Sequence, residues 1–187
     1  MIETNPMNYG ILYVDDEVTS LKYFREIFED IAPIFAAESA CEGMEILRNH
    51  SHEIGIVLSD QRMPDQDGID FLSQVAEEFP RPLRILVTAH AELSLAVDAL
   101  NNGMLYAYLS KPWDPEELGM RLSCALDHFN LVTEKDRLLQ EKSSAFHQLL
   151  MADRAASIGI LAAGLNHHLR NALTVIRTFH DLLPYQL

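Results

Sequence analysis

Ile54-Gly55-Ile56-Val57-Leu58-Ser59-Asp60 is an apolar run that ends in an acid, and Met63-Pro64 and Asp67-Gly68 follow it. Too short for a helix of ordinary length and rich in β-branched residues, the run reads as a buried strand. Working outward, Tyr9 to Val14 is a second apolar run, ending in Asp15-Asp16. A third ends in Thr88-Ala89, and a fourth in Lys111-Pro112. Each run carries a chemically distinctive residue at or just past its carboxyl end. In an open parallel sheet those ends converge on one crevice. Three carboxylates, a hydroxyl and an ammonium group would meet there. Such a constellation suits a divalent metal and the phosphorylation of an aspartate.

The strands expected are Gly10–Val14, Ile34–Ala37, Ile54–Ser59, Arg84–Thr88 and Leu105–Ser110. Helical spacing lies between them. Leu21, Phe24, Ile27 and Phe28 share a face, as do Phe71, Leu72, Val75 and Phe79. Pro80 and Pro82 close the third helix, and Asn101-Asn102-Gly103 ends the fourth. Five βα units imply an α/β fold, a parallel sheet with helices on both faces.

With 187 residues, the chain holds one domain of ordinary size and an extension. Residues 1–127 have 8 Lys and Arg against 23 Asp and Glu, while the rest have 6 against 5. So acidic a body weighs against nucleic acid as a partner. Cys41 and Cys124 have no metal-ligand spacing and read as reduced, helix-borne packing residues of a cytoplasmic chain. Residues 1–8 lack the pattern of a signal peptide, and no stretch is long and apolar enough for a membrane span.

The pattern changes after Asp114-Pro115-Glu116-Glu117, an acidic helix start with proline in its first turn. No proline follows before His180. Leu122, Phe129, Asp136, Ser143, Leu150 and Ser157 occupy heptad position a; Ala125, Val132, Leu139, Phe146, Asp153 and Ile160 occupy d. This broken heptad predicts a helical linker that forms a parallel two-stranded coiled coil, and so a homodimer. A single amphipathic helix folded back on the first domain is the alternative.

Asp15-Asp16, Asp60 with Met63-Pro64 and Asp67-Gly68, Thr88-Ala89, Tyr108 and Lys111-Pro112 together resemble the receiver domain of two-component response regulators. The resemblance covers residues 1–127. It implies a five-stranded, doubly wound, flavodoxin-like sheet and phosphorylation of Asp60 by a cognate histidine kinase or phosphotransfer protein. It also implies a Mg²⁺ cofactor held directly by Asp16, Asp60 and the Arg62 carbonyl, with Asp15 acting through water. Lys111, before an expected cis proline, would place its ammonium on the phosphoryl group. Thr88 and Tyr108 would form the switch pair that reads the phosphorylated state. Asp65, Asp67 and Asp70 read as turn and helix-start acids.

Residues 128–155 form the expected coil, and 156–187 carry a second resemblance. Ala156 to Ile176, through Gly164-Leu165-Asn166-His167-His168-Leu169-Arg170-Asn171, is similar to the first, H-box helix of a histidine-kinase dimerisation and phosphotransfer domain. By alignment His167 is the phosphorylated histidine, and Asn171, on the same helix face, would orient water. Two positions depart from that family: His168 stands where an acid is usual, which weighs against autokinase activity, and Ala172 stands where proline is usual. No glycine-rich nucleotide box is present. The expectation is therefore a fragment of a longer hybrid kinase; the alternative is a stand-alone response-regulator adaptor that dimerises. The remaining histidines, His50, His52, His90, His128, His147 and His180, read as surface or packing residues. A metal site at His167-His168 is disfavoured, because adjacent helical residues point about 100° apart.

Overall fold

A computed structural model describes residues 9–89 and 93–182; the side chains at 93, 152–153, 155–164, 167–168 and 179–182 lie outside that description. The chain divides between Glu134 and Lys135 into two units.

In the first unit strands and helices alternate: β1 (Gly10–Val14), α1 (Val18–Phe28), β2 (Ile34–Ala37), α2 (Ala40–His50), β3 (Ile54–Asp60), α3 (Gly68–Glu78), β4 (Leu83–Thr88), α4 (Leu93–Asn101) and β5 (Ala107–Ser110). The last helix, α5, runs from Pro115 to Leu182. All five strands are parallel, in the order β2-β1-β3-β4-β5. The order reverses between β1 and β3, and the carboxyl ends of those two strands border a crevice.

Strand composition sets the layers. The central strands β1 and β3 are buried along their whole length, as a sheet covered on both faces requires. From Ile11 and from Ile56 onward successive residues alternate between two cores; Ile54 lies before the register shift of β3 on β1 and is out of step. Ile11, Tyr13, Ile56 and Leu58 face one core, shared with α1 and the start of α5 through Phe24, Phe28, Leu118, Leu122, Ala125 and Phe129. Leu12, Val14, Ile54 and Val57 face the other, with Met44, Leu47, Phe71, Leu72 and Val75 of α2 and α3.

β3, β4 and β5 depart from expectation at their ends. β3 extends to Asp60, which pairs with Val87, and β4 begins at Leu83, paired with Ile56. β5 starts two residues later than expected. The Met104 and Leu105 N–H groups turn back to Ala99 O, at 3.0 and 3.3 Å, and cap α4 instead of joining the ladder. Gly103, at φ 73°, makes that reversal in the left-handed region. Phe79 is the C-cap of α3, held by Val75 O at 2.8 Å, and Pro80 follows. Asp114 caps α5, its Oδ1 accepting from Glu117 N at 2.9 Å.

Two expectations are corrected. Cys41 and Cys124 are helix-borne but exposed, so neither is a packing residue. Leu122, Ala125 and Phe129, three apolar positions of the heptad, are buried in the first core, where Phe129 meets Tyr9 edge to face at 4.8 Å. Those side chains are spent on the sheet. Any seam between chains starts after Phe129, with exposed Val132, Leu139 and Phe146.

In the second unit, Leu149, Leu165, Leu169, Leu173 and Ile176 also face solvent. Among the described residues no helix is long and apolar enough to cross a membrane.

Candidate functional site

Ladder hydrogen bonds carry past the strand ends and fix the residues that follow. Asp15 N donates to Ala37 O at 3.2 Å, Gln61 N to Val87 O at 2.9 Å and Lys111 N to Thr88 O at 2.8 Å. Asp15, Asp60, Thr88 and Lys111 are thereby set at one end of the sheet by backbone pairing before their side chains meet.

The side chains form a charged knot. Lys111 Nζ forms an ion pair with Asp60 Oδ1 and lies 3.2 Å from Asp15 Oδ2. Asp15 is 1% exposed and Asp60 7% exposed, so both carboxylates are largely withdrawn from water. Burial at that level demands partners, and each oxygen has one. Asp60 Oδ2 accepts from Arg62 N at 2.8 Å. Asp15 Oδ1 accepts from Glu17 N at 2.9 Å, and Asp15 Oδ2 accepts from the Tyr13 hydroxyl at 2.5 Å. Burial alone would lower the Lys111 pKa. The hydrogen bond to Asp60 and the charges of Asp15 and Asp60 outweigh it and hold the ammonium above the ordinary 10.5. The Tyr13 phenol is pushed well above its ordinary value, first by burial and then by Asp15.

The loop after β3 is closed by backbone contacts. Gly68 N donates to Gln61 O at 2.9 Å, and Ile69 N to the buried Gln61 side chain at 3.2 Å. A Cβ on Gly68 would lie 2.0 Å from Asp60 O, so only glycine fits there. Asp65 ties the same loop to α2 by accepting from Ala40 N at 3.1 Å. That is the work of a turn acid.

Of the residues singled out from the sequence, Asp15, Asp60 and Lys111 come into direct contact. Asp16, next to Asp15, is exposed. Thr88 is buried at the end of β4, donating to Ala89 O at 3.3 Å, and it pairs across the ladder with Ser110. Tyr108 is half-buried on β5, paired with Leu86. Lys111-Pro112 is cis. The His167 side chain and His90 lie outside the described residues, as does His180. His50 bonds Glu53 at 3.0 Å, and His128 stacks on Tyr106. Tyr13 and Gln61 were missed. Tyr13 had a legible signal, since residues two apart on a strand share a face; for Gln61 the sequence offers none.

The donor set fits a small, hard cation. Two buried carboxylates, Asp15 and Asp60, supply only oxygen, and the ammonium that bridges them marks where they demand positive charge. Among the described residues no three His, Cys, Asp or Glu side chains gather around one point. Mg²⁺ characteristically takes one or two carboxylates and completes its shell with water.

Comparison with known proteins gives a consistent result. The response regulator receiver domain profile matches residues 11–123. The hydrogenase transcriptional regulatory protein HoxA of Bradyrhizobium diazoefficiens is 30% identical over 67% of this chain and 26% of its own length. The DNA-binding transcriptional regulator NtrC of Escherichia coli K12 is 32% identical over 66% of this chain and 26% of its own. The chain thus spans about a quarter of the length of these relatives. Among solved structures, a receiver domain protein from Clostridium thermocellum superposes with a TM-score of 0.62 at 30% identity, over 66% of this chain and 98% of that one. The receiver domain of an HD domain-containing protein from Pseudomonas fluorescens Pf-5 gives 0.64 at 31%, over 71% and 97%. Sheet order, crevice and profile agree, and the chain belongs to the response regulator receiver family of two-component signalling.

Proposed function

We propose that Asp60 accepts a phosphoryl group from the phosphohistidine of a cognate kinase or phosphotransfer protein, or from a small phosphodonor. An Asp60 carboxylate oxygen attacks phosphorus, the P–N bond to the imidazole breaks, and the imidazole leaves with the electron pair. The observation that carries this reading is the nearly buried Asp60 paired with Lys111, which also contacts the buried Asp15. Asp16, Asp60 and the Arg62 carbonyl would hold Mg²⁺, with Asp15 reaching it through water. The metal would offset the repulsion between carboxylate and phosphoryl group and stabilise charge on the phosphoryl oxygens. Lys111 then moves its ammonium onto the phosphoryl oxygens as a point charge. The Thr88 hydroxyl donates to the same group, and Tyr108 turns into the space that Thr88 vacates.

In a cytoplasmic homodimer the helix after Phe129 would relay this state to His167. Intact-mass measurement after incubation with Mg²⁺ and a small phosphodonor tests the acceptor. One phosphoryl group is expected on the wild type and none on Asp60→Asn; equal labelling of the two removes Asp60 from the mechanism.

A second reading draws support from the relatives, which are transcriptional regulators. In it the helix dimerises the chain and binds a partner, with no phosphoryl transfer through His167. The first reading also makes His167 a phosphoryl carrier of a longer hybrid kinase, so comparing wild type with His167→Gln for phosphotransfer in that longer chain separates the two: only the first predicts a loss.

A further inference from the structure

Tyr13 borders the phosphoryl-acceptor crevice from β1. It is 1% exposed, and its hydroxyl donates to Asp15 Oδ2 at 2.5 Å. The same oxygen lies 3.2 Å from Lys111 Nζ, while the ammonium forms its other ion pair with Asp60. Phenol and ammonium therefore share one carboxylate oxygen. A hydrogen bond donated to a carboxylate draws off part of its charge and weakens its pull on a cation.

We propose that Tyr13 is a positioning residue of the crevice: by donating to Asp15 Oδ2 it lowers the hold of Asp15 on cations, which keeps the Lys111 ammonium available to Asp60 and its phosphoryl group and moderates the affinity for Mg²⁺. This rests on the reading of Asp60 as acceptor. A phenol is suited to the task. It is neutral, so it adds no charge to the site. Its ring is held against Phe24 at 4.6 Å, which fixes where the hydroxyl points. Phe24 in turn meets Trp113 edge to face at 6.4 Å. The single tryptophan of the chain thus stands one ring away from Tyr13 and offers an optical readout of the crevice.

Tyr13→Phe removes one oxygen and keeps the ring. Without the phenol, Asp15 carries more charge. It attracts Mg²⁺ more strongly and holds Lys111 back from Asp60. The two effects have opposite signs, which loosened packing would not produce. Titrating the full chain with MgCl₂ while following Trp113 fluorescence should give a dissociation constant about fivefold lower in Tyr13→Phe, and phosphorylation by a small phosphodonor at saturating Mg²⁺ should be about fivefold slower. Both differences should vanish when Tyr13→Phe is made in an Asp15→Asn background, because the influence runs through the Asp15 charge. An unchanged or higher dissociation constant, an unchanged rate, or differences that persist in the Asp15→Asn background would overturn the inference. A wild type that neither responds to Mg²⁺ nor accepts a phosphoryl group would remove the acceptor reading as well; a responsive wild type matched by Tyr13→Phe removes only this inference.

Discussion

Asp60 is held by the Lys111 ammonium and by the Arg62 N–H, and the loop that Gly68 closes lies tight against its carbonyl. That loop has no slack. A methyl group at Gly68 would press on the Asp60 carbonyl, which is strand backbone and cannot rotate away. Gly68→Ala should therefore cost about 1–3 kcal/mol in urea unfolding and slow phosphorylation in parallel. An alanine variant with wild-type stability would show that the loop re-forms freely. Two groups of the crevice also set an alkaline limit. Lys111 has a folded pKa above its ordinary 10.5, so its contribution is complete below that value and is lost as pH rises through the folded one. Tyr13 is likewise raised above its ordinary 10.0; the unfolded phenol ionises first, and unfolding is favoured above that point. The urea midpoint should fall above about pH 10, with a shallower fall in Tyr13→Phe. Equal slopes for the two proteins would assign the fall to other groups.

At the scale of elements, α5 is the one whose role changes along its length. Leu118, Leu122, Ala125, Leu126 and Phe129 recur at helical spacing and are all buried against the sheet. Beyond them Leu138, Leu139, Phe146 and Leu149 are exposed. Truncations should separate the two stretches. Phe129→Ala opens a cavity beside Tyr9 and should cost about 3–5 kcal/mol of receiver stability. Leu139→Ala removes an exposed side chain and should change receiver stability by under about 0.5 kcal/mol. Its effect should appear as weaker self-association in sedimentation. Similar losses of receiver stability from both variants would contradict this division of labour.

For the whole molecule, the question is whether the state of Asp60 reaches the far part of α5. Val132, Leu139 and Phe146 are seven residues apart and exposed, and polar Asp136 and Ser143 interrupt the other seam position. A seam so interrupted would hold two arrangements close in free energy, and a local change can bias such a pair. The 187-residue chain should sediment as a dimer at high micromolar concentration. Spin labels at Leu139 should report different inter-chain distances with and without a phosphoryl mimic. Identical distributions, with phosphorylation confirmed, would make the far part of α5 a passive tether, and a monomer would remove the seam.

The class of fold is determined by the sequence alone, because that class is written in local pattern. Apolar runs of strand length alternate with helical spacing, and β1 and β2 run over the residues expected for them. The identities of Asp15, Asp60, Thr88 and Lys111 at run ends were equally local, and so was the expectation that they gather at one end of a sheet. Strand ends were less legible. Whether Met104 and Leu105 extend β5 or cap α4 depends on how the chain turns at Gly103. Three features required the tertiary structure, since each depends on what lies opposite in space. Exposure of Cys41 and Cys124 depends on which helix face meets the sheet. Periodicity marks Leu122, Ala125 and Phe129 as apolar without saying whether a sheet or a second helix covers them; packing assigns them to the sheet. The contact of Tyr13 and Lys111 at a single oxygen of Asp15 arises only when β1 and the end of β5 are brought together across the crevice, from positions almost a hundred residues apart.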